Sequence, residues 1–277
     1  MSENLSDWVG RREVVSDVLE PSRSNALRAA LGLAPELAAG DALPLLYHWL
    51  YFWNVQPPAA LGVDGHPAKG GFLPPVPLPR RMWAGGRVKF IQPLLVGESV
   101  TRTSTILAVK AKTGSSGDLV FVTVEHVIAG SNGAAVSEEQ DIVYKGVTPP
   151  GSIAAPAATG PAPTAPWQRQ VLPDPVLLFR YSALTMNAHR IHYDLPYARD
   201  EEAYPELVVH GPLQATLLAD LAQSSLAAPL RTFDYRGLAP AFAGTKLAIC
   251  GEPNEGGAAL WTEQSGSRNM SATVTAG

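Results

Sequence analysis

HGPLQATLLADLAQSSL, residues 210–226, decides the fold. Gly211 and Pro212 open a helix, because proline suits the first helical position, where its missing N–H costs nothing. Leu213, Leu217, Leu218 and Leu221 then recur at helical spacing. Val-, Thr- and aromatic-rich runs follow at 232–242, 246–251, 258–264 and 269–275, with GEPNEGG and SGS as turns between the last of them. One apolar helix followed by about four antiparallel strands buries both when the sheet curves around the helix.

The same order occurs earlier in the chain. Asp41 is a good N-cap, and ALPLLYHWLYFW (42–53) is apolar on nearly every face, which predicts a buried central helix. Strand patterns follow at 87–92, 100–110, 119–129 and 135–145, with hairpin signals at GSSGD (114–118) and SNG (131–133). Two such units packed sheet edge to sheet edge give the expected fold, α+β, a double hot dog. Short helices are expected near 6–19 and 23–31, and PVLLFRYSAL (175–184) reads as a strand. The Pro- and Gly-dense segment 55–79 reads as a functional rim or lid loop. The Pro/Ala-rich stretch 148–166 has linker composition, dividing the chain into domains 1–147 and 167–277.

Only 17% of the 277 residues are charged, against about 25% in an average domain, so a large buried fraction is expected. A net charge of −4 offers no basic field for a nucleic-acid partner. The longest apolar run, 42–53, is too short for a bilayer span of roughly 20 residues, and the N-terminus lacks an apolar signal core. Cys250 is the only cysteine, which excludes an internal disulfide and fits a reducing compartment. A cytoplasmic protein with no membrane partner is expected. Double hot dogs stand alone or pair further, so a homodimer is also open.

The chemistry is concentrated in 180–218. There Asn187-Ala188-His189-Arg190-Ile191-His192-Tyr193-Asp194 precedes Tyr197-Ala198 and then His210-Gly211. This resembles the MaoC-like acyl-thioester hydratases and dehydratases, whose motif runs Asp-x-Asn-Pro-x-His-x-Asp, then Tyr-Ala, then the glycine that starts the hot-dog helix. PRRMWAGGRVKF (79–90) and SGDLVFVTVEH (116–126) resemble the branch with a degenerate N-terminal hot dog. That branch holds mesaconyl-C4-CoA (3-methylfumaryl-CoA) hydratases, itaconyl-CoA hydratases and fatty-acid-synthase-like dehydratase domains. The resemblance spans nearly the whole chain. It implies addition of water to a C5 dicarboxylic enoyl-CoA to give a citramalyl-CoA.

Hydrating an enoyl thioester needs a base for water and donors where enolate charge builds. His192 titrates near neutrality in its ordinary state, so it serves as base and then acid. Gly211 offers a backbone N–H at a helix N-terminus, suited to the thioester oxygen. Asn187 stands where the motif has a catalytic Asp. An amide does not exchange protons at neutral pH, so Asn187 is expected to orient water or the acyl group. Arg190, Arg81 and Arg236 are candidates for an acyl carboxylate or CoA phosphates, with His189 and Trp83 as further binding residues.

Structural readings stand beside these. Asn187 also suits a turn, Gly211 a plain helix start, and Trp83 simple packing. His210 reads as a partner of the helix start, and Cys250 as inert core. His189 and His192 would meet on a helix, but Pro196 and strand-like flanks argue against one, so no metal site is expected. No phosphate-binding glycine loop occurs, and no cofactor is expected. Three further functions remain open: a fatty-acyl 3-hydroxyacyl-thioester dehydratase, a hot-dog thioesterase, and a non-catalytic acyl-CoA-binding subunit.

Overall fold

The computed structural model describes residues 4–114, 117–147 and 164–277. The strands are β1 (Arg12–Val18), β2 (Arg80–Phe90), β3 (Ser99–Gly114), β4 (Gly117–Gly130), β5 (Gly133–Lys145), β6 (Trp167–Val171), β7 (Leu230–Gly237), β8 (Leu247–Asn254), β9 (Gly257–Gln264) and β10 (Ser267–Ala276). The α-helices are α1 (Pro21–Ala30), α2 (Pro175–Thr185), α3 (Leu195–Asp200) and α4 (Gly211–Ser225). All ten strands form one sheet in the order β1-β3-β4-β5-β2-β7-β10-β9-β8-β6. The halves meet where β2 pairs antiparallel with β7, Gly85 opposite Arg236 through Lys89 opposite Thr232. The expected continuous double hot-dog sheet is present.

The second half follows the expected plan closely. Leu213, Ala215, Leu217, Leu218 and Ala219 on α4 are all buried, and α4 packs on β6 to β10. A helix apolar all round suits a position enclosed by sheet.

The first half departs from it. No α-helix forms over 42–53; only one 3-10 turn, Tyr47–Leu50, does. Leu46 and Phe52 bracket that turn with left-handed backbone, φ 66° and 61°. The run is nonetheless buried at Leu43, Leu46, Tyr47, Leu50, Tyr51 and Phe52. Its polar groups bond outside it: Trp49 donates to Glu138, and Tyr51 donates to the Glu20 carbonyl. The segment is thus packed but irregular, and among the described residues the N-terminal sheet has no central helix.

Two other expectations are corrected. The region 6–19 is not a helix. After a 3-10 turn at Leu5–Trp8, Gly10 breaks the chain with φ +85°, and β1 follows with side chains alternately exposed and half-buried. The segment 175–184 is not a strand but lies in α2. Asp174 caps it by accepting from the Leu177 N–H at 2.7 Å, and Pro175 takes the first helical position. Residues 148–163 of the expected linker lie outside the described residues. Among the described residues no helix is long and apolar enough to cross a membrane.

Candidate active site

A cleft of about 800 Å³ opens between the helix-free N-terminal sheet and the start of α4. Volumes of this order hold small-molecule ligands. Its lining includes His192, Asn187, His189, Gly211, Trp83 and Arg81. A second cavity, of about 740 Å³, adjoins it and shares Arg81.

The loop from α2 to α3 is held by its own side chains. Met186 ends α2 in left-handed backbone, and the Asn187 N–H donates to the Ser182 carbonyl at 2.9 Å. The Asn187 side-chain oxygen accepts the His189 N–H at 3.1 Å, an Asx turn. Arg190–His192 forms one 3-10 turn, which brings the His189 and His192 rings edge-on with centroids 5.5 Å apart. The strand-like flanks expected around these histidines are absent, because α2 and α3 bound the loop. Asp194 caps α3 through Oδ1 and the Tyr197 N–H, and its Oδ2 takes the Arg190 guanidinium at 2.7 Å.

His192 is 6% exposed. Its Nδ1 donates to the Val208 carbonyl at 2.7 Å, which leaves Nε2 with a free lone pair. Burial pulls its pKa down to about 4, so the ring is neutral at neutral pH and its Nε2 is open to accept a proton. Its ring stacks on His210, centroids 3.6 Å apart, and the fully buried His210 bonds the Ser182 hydroxyl through Nε2 at 2.8 Å. His210 immediately precedes α4, so it ties the histidine stack to the helix N-terminus.

Gly211 is the first residue of α4, where N–H groups have no partner within the helix. A Cβ there would lie 2.7 Å from Cε3 of Trp83. Trp83 in turn stacks on Tyr235, centroids 4.5 Å apart. The tryptophan from the first half therefore walls the helix terminus of the second. A basic ring nitrogen and a helix-terminal N–H on one apolar-walled cleft suit attack of water on an activated acyl group.

Residues 46–243 match the hydroxyacyl-thioester dehydratase type 2 family. The chain belongs to this family. It is a hydro-lyase of acyl thioesters. It is 44% identical over 274 residues to the mesaconyl-C4-CoA hydratase of Chloroflexus aurantiacus, covering 98% of this chain and 97% of that one. It is 30% identical to the mitochondrial hydroxyacyl-thioester dehydratase type 2 of Schizosaccharomyces pombe, covering 74% and 76% of the two chains. In fold it is similar to a MaoC-like dehydratase from Phytophthora capsici, TM-score 0.70 at 12% identity, covering 100% of this chain and 99% of that one.

The three arginines of this hydro-lyase sit in different surroundings. Arg190 lines the smaller cavity and is committed to the protein. Besides Asp194, it donates through Nη1 to the Val63 carbonyl at 3.1 Å and covers the Tyr197 ring at 4.2 Å. Its backbone N–H also donates to the Asp64 carbonyl at 3.0 Å. These bonds clamp the 55–79 loop. Arg236 is exposed on β7 and is not among the residues lining the cleft. That leaves Arg81, half-buried where the two cavities meet.

Sequence reasoning missed two groups. Asp64 and His66 come from the rim loop. The Asp64 carboxylate accepts from the His66 backbone N–H and from its Nδ1, both at 3.0 Å. Asp64, His66 and His189 also bring ligand-type atoms within 4.8 Å of one another, a grouping that no spacing within one segment records. The other group is Glu138, 1% exposed, which accepts from Trp49 and pairs with His48 at 3.1 Å at the N-terminal end of the cleft. These hydrogen bonds outweigh the cost of burial and hold its carboxyl down at about 2.

Proposed function

We propose that this hydro-lyase adds water to a C5 dicarboxylic enoyl-CoA, mesaconyl-C4-CoA or itaconyl-CoA, to give a citramalyl-CoA. The observation that carries the reading is the pairing of a lone-pair-bearing His192 Nε2 with the N-terminus of α4 on one cleft. The substrate class is supported by the 44% identity to a mesaconyl-C4-CoA hydratase over nearly the full length of both chains. In mesaconyl-C4-CoA the β-carbon carries the methyl group and the free carboxylate. His192 Nε2 takes a proton from water, and the oxygen attacks that carbon. The displaced electron pair moves to the thioester oxygen, where the Gly211 N–H and the dipole of α4 stabilise it. Arg81, on the cleft wall, is the group for the free carboxylate.

Asn187 orients water or the acyl group with its amide, while its oxygen holds the Asx turn. The division into an N-terminal domain 1–147 and a catalytic domain 167–277 belongs to this reading. So do a cytoplasmic setting, in keeping with one buried free cysteine, and pairing of two copies as a homodimer.

The test mixes purified protein with mesaconyl-C4-CoA and follows loss of conjugated-thioester absorbance, with crotonyl-CoA in parallel. Preference for mesaconyl-C4-CoA supports the reading, and preference for crotonyl-CoA replaces it with a fatty-acyl hydratase. Release of free CoA thiol would make the protein a thioesterase, and tight binding without turnover a binding subunit.

A further inference from the structure

The rim loop is built to press one side-chain pair against the catalytic loop. Gly65 has φ +87°, and a Cβ there would lie 1.9 Å from the Ala188 carbonyl oxygen, so only glycine fits. Just before it, the Val63 and Asp64 carbonyls accept hydrogen bonds from Arg190. Held this way, the His66 ring lies 4.3 Å from the His189 ring, centroid to centroid, and lines the cleft with His192. Its Nδ1 is engaged by Asp64, so Nε2 carries the free lone pair. His192 has no comparable partner: its Nδ1 meets only a neutral carbonyl. His189 is 8% exposed, and no hydrogen bond of its ring occurs among the described residues. Of these three histidines, only His66 has a carboxylate bonded to it, and a carboxylate is what stabilises an imidazolium.

We propose that Asp64 and His66 are a second acid–base pair of this site, in which His66 Nε2 carries the proton that ends on the α-carbon. The proposal rests on the hydration reading and supplies the proton carrier that Asn187 is not. Water gives its proton to His192 Nε2 as its oxygen bonds to the β-carbon and the double-bond pair moves to the thioester oxygen. That proton passes to His66 Nε2, and Asp64 stabilises the imidazolium. The enolate pair then returns to form the α-carbon–hydrogen bond with it. One proton enters from water and one leaves to carbon, so both histidines end neutral. Burial holds the His66 pKa below its ordinary value; of the charged groups facing the ring, Asp64 favours its protonation and Arg81 opposes it. His189, packed against its ring, adds a further titratable group.

The test compares wild type with His66→Ala, His66→Gln and Asp64→Asn on mesaconyl-C4-CoA and crotonyl-CoA, with melting temperature as the folding control. Both His66 variants are expected to lose about 100-fold in kcat with KM within about threefold, in the range general acid–base groups contribute. Imidazole in the buffer is expected to restore part of the His66→Ala rate, which a packing role would not allow. Asp64→Asn is expected to lose about tenfold, with the rate–pH profile displaced. A folded His66→Gln that hydrates within about threefold of wild type overturns the proposal. So does a His66→Ala loss that imidazole leaves untouched. Wild-type activity abolished by EDTA and restored by Zn²⁺ overturns it in favour of a metal held by Asp64, His66 and His189. A wild type that hydrates neither thioester is a distinct result, which overturns the hydration reading and this one with it.

Discussion

The Val208 carbonyl accepts the Nδ1 proton of His192 at 2.7 Å, and that bond fixes which ring nitrogen is basic. His192→Ala is therefore expected to lower kcat by about 10²- to 10⁴-fold, the usual share of a general base. Because the ring titrates near 4, the wild-type hydration rate should stay level from pH 8 down to about 5 and fall below that as His192 gains its proton. Steady-state rates across pH decide this, and a His192→Ala enzyme at wild-type rate rejects the assignment.

The clamp between the two halves is testable without touching a titrating cleft residue. Gly65→Ala forces a Cβ onto the Ala188 carbonyl, so the rim loop must lift. Arg190→Ala removes the bonds to the Val63 carbonyl and Asp194. Each variant should stay folded and lose at least about tenfold in kcat/KM, since misplacing a positioned group by about 1 Å costs on the order of 100-fold. Near-wild-type kinetics in Gly65→Ala would mean the loop position is irrelevant.

Gly211→Ala should push Trp83 off the terminus of α4, where the added Cβ would meet ring carbons at 2.7 and 3.1 Å. Overpacking of this kind costs about 1–3 kcal/mol, and kcat should fall with it. Trp83→Phe in the same chain should recover part of the melting temperature. Two variants that simply add, with no coupling in a double-mutant cycle, would contradict the contact.

Arg81→Gln should raise KM for mesaconyl-C4-CoA far more than for crotonyl-CoA, because only the first carries a free carboxylate. Loss of a charge-assisted bidentate contact is worth about 2 kcal/mol, or roughly 30-fold. An equal rise for both thioesters would place Arg81 on the CoA portion instead.

Acid should destabilise the fold in two overlapping windows. Burial pulls His192 and His126 down to about 4 and His189 to about 2, so each contributes stability that is complete above the unfolded value of 6.5 and is lost as pH falls toward the folded value. Glu138, lowered from 4.5 to about 2, contributes stability that is complete above 4.5 and is lost as pH falls toward 2. Melting temperature should be flat above pH 7 and decline steadily from 6.5 downward. A rise between pH 7 and 5 would contradict the burial of these rings.

Helix α4, the strands after it and the meander β3–β5 were legible because periodicity and turn residues act locally. His192 and Gly211 were legible for the same reason, lying in one continuous motif. The 42–53 segment was not, since an aromatic run buried on every side carries no period to read. The α2 helix was misread as a strand although Asp174-Pro175 is a helix-start signal, because the apolar run after it is also compatible with a strand. Asp64 and His66 escaped because what makes them matter is contact with His189, far along the chain, and no local pattern records that. Arg190 is conspicuous in the sequence for its charge, but its bond to the Val63 carbonyl is a long-range contact that no local pattern records.

The β2–β7 pairing has a consequence for how such a gene can be divided. Each half, expressed alone, would leave β2 or β7 as an unprotected strand edge, a template for adhesion to other chains. Trp83 would leave with one fragment and the α4 terminus with the other. Natural fission or laboratory splitting at the Pro/Ala-rich stretch should thus yield two insoluble pieces made apart. Co-expression should return one working enzyme, reassembled along the β2–β7 seam and the rim-loop contacts with Arg190.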